Sequence, residues 1–254
     1  MNTIVFDVDG AGVATLTLNR PERRNAFDEE MLVEINETVS SLPSDVRVLV
    51  MRGAGKVFCA GADLGWMMSG AASTSSRLDD MFSTIDTCKV PVVAQVHGAA
   101  MAGATGIVAC CDIVVAASST VFAFTEVKIG LIPAVISPYV IRKVGYSFAR
   151  SAFITAERFD AQRGYEVGLV HRVVDESELD SAVQQVVAGL LTGGPEAMFE
   201  ARKLVDAVWG KPLGDVRDLT VAAISERRAS EEAREGVLAF LEKRKPRWVE
   251  GPSS

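Results

Sequence analysis

The sequence predicts an α/β fold: a core of alternating strands and helices, followed by a wholly helical C-terminal region. Three observations carry this. Short β-rich runs recur at "VRVLVMRG", "VPVVAQVHG" and "CDIVVAA". Segments with helical periodicity lie between them. Beyond about Gly193 the helical pattern continues with no strand in it. The expected division is therefore a core of residues 1–192 and a helical oligomerisation region of residues 193–254. With 254 residues, 48% of them hydrophobic, the chain can bury a substantial core.

The first element is a hairpin, because "IVFDVDGAGVATLTLN" holds two alternating runs around the turn "DGAG". A polar loop, "RPERRNAFD", leads to a helix that starts after Asp28, a plausible N-cap, and places Met31, Ile35 and Val39 on one face. "VRVLVMRG" follows as a buried strand. "SSRLDDMFSTIDTC" and "AAMAGATGIVACC" are able to form helices around the strand "VPVVAQVHG". After Gly193, "GGPEAMFEARKLVDAVWG" and "LTVAAISERRASEEAREGVLAFLEKRK" read as long helices, with Pro195 in a first turn. Helices in excess of what the core needs point to association with further copies of the chain.

Charge and residue counts exclude several classes. A net charge of −7 gives no electrostatic reason for a nucleic-acid partner, and the basic tail "EKRKPRW" reads as a solvated terminus. No run approaches the roughly 18 to 20 apolar residues that span a bilayer, and the N-terminus lacks a signal-peptide pattern. The cytoplasm is the simplest address. Four cysteines, Cys59, Cys88, Cys110 and Cys111, lack metal-site spacing and read as buried reduced thiols. With only His97 and His171, no metal site is expected.

Three stretches carry chemistry. In "GAGKVFCAGADLGWM" the small residues Ala60, Gly61 and Ala62 would let a ligand approach main-chain N–H groups, although a tight turn into a helix accounts for the string equally. In "HGAAMAGATG" the glycines could open a helix whose free amides face a developing oxyanion, or could serve close packing against a sheet. His97 reads as a packed, hydrogen-bonded residue. In "VFAFTEVKIGLIP" a lone carboxylate, Glu126, sits among apolar residues, where desolvation would raise its pKa toward that of a proton-transfer group. Pairing with Lys128, on the same face of a strand, is the alternative.

Taken in order, "TLNRPERRNAF", "FCAGADL", "HGAAMAGATGIVACCDIVVAA", "FAFTEVKIGLIP", "ITAERFDAQRGYEVGLVHRVV" and "FLEKRKP" resemble the enoyl-CoA hydratase/isomerase, or crotonase, family over nearly the whole chain. The resemblance implies a crotonase-type spiral of β-β-α units with a C-terminal helical trimerisation region. It implies an acyl-CoA thioester as ligand, with no cofactor beyond the CoA of the substrate, and a homotrimer or dimer of trimers. By position, the oxyanion-hole amides would be those of Ala62 and Gly103, with Glu126 as acid/base. Arg24 would meet a CoA phosphate, while Ala60, Asp63 and Leu64 would flank adenine and pantetheine. Lys243 would reach CoA from a neighbouring subunit, and Trp66 with Met67 would line the acyl pocket or the core.

The resemblance also implies a second catalytic carboxylate in many hydratases, and alignment places it at Gly106, within the acyl-binding region, where there is no side chain. Glu126 alone could then hydrate a 2-enoyl-CoA or move a double bond as a Δ3,Δ2-enoyl-CoA isomerase. "GADLGWM" and "KIGLIPAVISPYVIRKVG" are similar to the branch that includes methylglutaconyl-CoA and isohexenylglutaconyl-CoA hydratases. Arg142 is assigned to a helix-surface ion pair rather than to a substrate carboxylate. A non-catalytic acyl-CoA or RNA-binding paralogue is the reading from another class.

Overall fold

The computed structural model describes residues 2–68 and 74–250, so the first residue and the last four of the two predicted regions lie outside the described residues. In chain order the main elements are β1 (Ile4–Val8), β2 (Val13–Leu18), α1 (Glu29–Ser40), β3 (Val48–Gly53), α2 (Leu64–Met68) and α3 (Thr74–Asp86). Next come β4 (Val92–Val96), β5 (Ala99–Met101), α4 (Gly103–Cys110), β6 (Ile113–Ala117), β7 (Val121–Ala123) and α5 (Ser137–Thr155). Then follow β8 (Phe159–Asp160), α6 (Ala161–Glu166), β9 (Arg172–Val174) and α7 (Leu179–Leu191). The remainder is helical: α8 (Pro195–Val208), α9 (Leu213–Ala229), α10 (Glu231–Leu241) and α11 (Arg247–Glu250).

Six strands form one sheet in the order β1-β2-β3-β4-β6-β9. The β1–β2 hairpin is antiparallel and every later pair is parallel. The parallel strands read as continuous apolar runs because both faces are covered. Leu49, Met51, Ala94, Val114 and Ala116 face the main core, whereas Val48, Val50, Val93, Val115 and Ala117 meet Leu179, Val183 and Val187 of α7 on the other face. A second sheet, β5-β7-β8, stands beyond the main one. This α/β arrangement, with repeated strand and helix units ending in helices, is the architecture that the resemblance implies.

Local chemistry explains the element ends. The Asp28 carboxylate accepts the Met31 N–H and caps α1, whose Met31, Ile35 and Val39 are buried. The long C-terminal helix expected over residues 219–245 is instead broken at Ser230. The Ser230 backbone is extended (φ −72°, ψ 155°), and its hydroxyl accepts the Ala233 N–H, so it ends α9 and caps α10. Helix α5 is kinked at Gly145, where φ is +77°.

Two half-buried arginine clusters tie the helical region to the core. Arg202 of α8 pairs with Asp112 at 3.2 Å, and donates to Cys88 O at 2.8 Å and to Asp86 O at the end of α3. Arg47 donates to Gly193 O at 2.8 Å and to Trp248 O at 2.6 Å. Arg142 is committed to Asp86 and Asp206.

Candidate active site

Two chain segments run side by side into the site. Cys59 pairs in parallel with Ala100: the Cys59 N–H donates to Ala99 O and the Met101 N–H to Cys59 O, both at 3.1 Å. Three residues further along each segment stand Ala62 and Gly103. The directions of their amides follow from planar trans peptides, in which C=O and N–H point opposite ways. Gly61 O accepts the Phe27 N–H at 2.9 Å, so the Ala62 N–H points away from Phe27. Ala102 O accepts the Thr105 N–H at 2.9 Å, so the Gly103 N–H projects from the start of α4. Among the described residues, neither amide donates to another group of the chain.

The turn that holds them is strained. Gly61 has φ +94°, and a Cβ there would lie 2.7 Å from Met101 O. Ala102 has φ +50° and ψ −124°, a conformation that L residues rarely adopt. It is held by its own N–H on Ala123 O at 2.7 Å, and the Thr105 hydroxyl on Ala100 O at 2.9 Å braces the same corner.

Strand β7, paired with β5 through Ala123 and Met101, brings Glu126 to the same end. Glu126 does not lie on a strand, as expected from the sequence, but opens a 3₁₀ turn, Glu126–Ile129, closed by Gly130 at φ +77°. The shared-face argument for a Lys128 partner therefore fails, and among the described residues Glu126 has no ion pair. Its Oε2 is buried with no hydrogen-bond partner. Burial pushes the Glu126 carboxyl above its ordinary 4.5, opposed only by a hydrogen bond from its own backbone. A half-buried carboxylate with an orphan oxygen is costly unless it works on a bound group.

The other expected residues divide. Arg24 is exposed in a left-handed conformation (φ 54°). The Ala60 and Asp63 amides are committed to Arg24 O and Phe27 O, and the Asp63 carbonyl accepts the Met67 N–H at 3.0 Å, so of the two carbonyls only that of Ala60 takes no backbone hydrogen bond among the described residues. The Asp63 carboxylate caps α2 through the Gly65 and Trp66 N–H groups and lies 3.6 Å from Arg20. Leu64 is exposed, and Trp66 packs against the core. Lys243 stands exposed after α10, which packs on α8 and α9, and among the described residues no hydrogen bond or ion pair joins it to Arg24.

Gly106 is the correction. It is buried beneath Ile136 and Phe82, and a Cβ there would meet Ile136 Cγ2 at 2.3 Å and Phe82 Cε1 at 3.1 Å. It is sealed under apolar side chains and offers a ligand no surface.

Sequence reasoning missed Arg20, Asn25 and Phe27. Arg20 bridges the caps of two helices through Asp28 and Asp63. Asn25 is fully buried at φ 55° and donates to Ala54 O, Val57 O and Phe58 O. An asparagine and a phenylalanine at the end of a charged loop were the available signal. His97 binds Gly55 O at 2.9 Å, and the four cysteines are buried free thiols. Burial pushes the Cys59 thiol up to about 12. Among the described residues no group of three metal-ligating side chains converges.

A family model for enoyl-CoA hydratase/isomerase matches residues 9–251. The chain belongs to the enoyl-CoA hydratase/isomerase family. It is 30% identical over 245 residues to the crotonyl-CoA hydratase of Syntrophomonas wolfei, covering 93% of this chain and 94% of that protein. It is 37% identical over 192 residues to the enoyl-CoA hydratase ACTT6 of Alternaria alternata, covering 74% of this chain and 64% of that protein. The crystal structure of an enoyl-CoA hydratase from Shewanella pealeana superposes with a TM-score of 0.92 at 38% identity, covering 97% of this chain and 96% of that one. The protein is thus an acyl-CoA enzyme, an enoyl-CoA hydratase or isomerase.

Proposed function

We propose that this family member adds water to a 2-enoyl-CoA of branched or glutaconyl type, with Glu126 as its one acid/base. The observation that carries the reading is the orphan Oε2 of Glu126, brought to the same end of the fold as two unengaged amides. The thioester oxygen accepts from the Ala62 and Gly103 N–H groups, which hold the negative charge as the α-carbon becomes an enolate carbon. Glu126 takes a proton from water as the hydroxyl bonds to the β-carbon. It then returns that proton to the α-carbon, ending as the carboxylate that began the cycle. A raised pKa suits both halves, because the protonated intermediate state costs less.

CoA would lie along Arg24 and the Ala60 carbonyl, with Asp63, Leu64 and Trp66 beside the pantetheine and acyl groups. Lys243 of a second copy would complete the phosphate site in a homotrimer or a pair of trimers. The CoA of the substrate is the one cofactor the reading requires, and the cytoplasm is its compartment. The sealed Gly106 favours a second reading, in which Glu126 alone carries a proton between carbons as a Δ3,Δ2-enoyl-CoA isomerase.

The test is an assay with crotonyl-CoA, 3-methylglutaconyl-CoA and a 3-enoyl-CoA, following hydration and double-bond migration separately, with Glu126→Gln as control. Hydration that needs Glu126 supports the first reading. Migration without hydration moves the protein to the isomerases. CoA binding with neither activity overturns both and favours a binding paralogue.

A further inference from the structure

Phe27 touches both halves of the amide pair. Its backbone N–H holds Gly61 O at 2.9 Å and its carbonyl accepts the Asp63 N–H at 2.8 Å, so it grips the chain on either side of Ala62. Its ring lies on Gly103: a Cβ built there would sit 2.6 Å from Phe27 Cζ and 3.4 Å from Cε1. The ring cannot swing aside, because Phe27 is 1% exposed and belongs to the main core. The buried Asn25, two residues earlier, pins the loop from which Phe27 projects to Ala54 O, Val57 O and Phe58 O.

We propose that Phe27 is a positioning residue that sets the direction of the Ala62 N–H through its backbone and the separation of the Ala62 and Gly103 N–H groups through its ring. This rests on the reading of those amides as an oxyanion hole. Amide donors of this kind act at about 3 Å from the reacting oxygen with a tolerance of a few tenths of an ångström, and a spacer in contact with both segments is what fixes such a gap. It also explains why position 103 holds glycine: there is no room for a methyl group against the ring.

Three variants and one spectrum test it. In Gly103→Ala the new Cβ meets the ring and α4 must shift, so kcat falls by about 10²-fold with KM changed by less than about threefold. In Gly103→Ala/Phe27→Leu the far end of the ring is gone, and kcat recovers by about tenfold or more over Gly103→Ala. Phe27→Leu alone keeps the backbone bonds and loses only the spacer, so its kcat falls by roughly tenfold while its CoA affinity stays.

The spectrum is the infrared thioester C=O stretch of bound butyryl-CoA. It should shift to lower frequency in the wild type, shift less in Gly103→Ala and Phe27→Leu, and be restored in the double variant. Stability loss alone would leave the stretch of the folded fraction unmoved. No shift in the wild type would sink the oxyanion reading and the spacer with it. A wild-type shift that persists unchanged in Phe27→Leu, or a double variant no more active than Gly103→Ala, overturns the role of Phe27 and leaves the oxyanion reading standing.

Discussion

Glu126 is the proposed acid/base, and its raised pKa has two consequences of opposite sign. As the base it must be ionised, so kcat/KM should fall on the acid side through a pKa above the ordinary 4.5, measured by a pH–rate profile. In folding, a pKa raised above its unfolded value makes a stabilising contribution that is complete below the unfolded pKa and is lost as pH rises through the folded one. At pH 7 the ionised, desolvated carboxylate therefore destabilises the fold. Glu126→Gln should cut turnover by at least about 10³-fold while leaving the melting temperature at pH 7 equal to or above the wild type, by calorimetry. A Gln variant with near-normal turnover would remove Glu126 from the mechanism. Ala62→Pro, which deletes one donor, should lower kcat by about 10²- to 10³-fold. Glu126 was legible in the sequence because an acid alone among apolar residues has few cheap explanations. Its 3₁₀ turn was not, since Gly130 at φ +77° decides that geometry three-dimensionally. The sealing of Gly106 was equally hidden, because Ile136 lies 30 positions away along the chain.

At the scale of elements, α4 presents the Gly103 amide proposed for the oxyanion at one end and is anchored at the other. Lys143 of α5 donates to Cys111 O at 2.7 Å and to Asp112 O at 3.4 Å, so a cation sits where the helix ends and its carbonyls lack partners. Beside it, Arg202 clamps the chain that follows α3 and pairs with Asp112, whose carboxyl burial pushes up in spite of that partner. Removing one member of such a half-buried set leaves the rest unsatisfied. Arg202→Met should therefore destabilise the fold by about 2–4 kcal/mol, read from urea unfolding with an unchanged slope. A loss below about 0.5 kcal/mol would mean that the clamp is screened like a surface pair. The periodicities that gave α1, α3 and the parallel strands are strong because each has a fixed core-facing side. The α9–α10 break escaped periodicity because Ser230 interrupts the helix with no change in apolar spacing, by capping the next one.

The whole molecule leaves large apolar side chains on its C-terminal helices: Leu213 is 90% exposed and Phe240 84%, with Trp209, Val221, Ile224 and Leu241 also outside. These residues lie on the layer that the core does not need, as the excess of helix in the sequence implied. Apolar surface on this scale is stable in water only when something covers it. If copies of the chain cover it in a trimer, the wild type should sediment as a trimer or hexamer at micromolar concentration. Leu213→Asp/Phe240→Asp should then shift it toward monomer, because each burial of an unpaired carboxylate at a contact opposes assembly. Function makes the prediction sharper. If Lys243 completes the CoA site of a neighbour, as proposed, the dissociated variant should show KM for acyl-CoA raised by several-fold, and Lys243→Ala in the intact assembly should raise it to a similar degree with kcat little changed. A dissociated variant with unaltered KM would confine CoA recognition to one chain, and a wild type that sediments as a monomer would require another cover for the α9–α10 face.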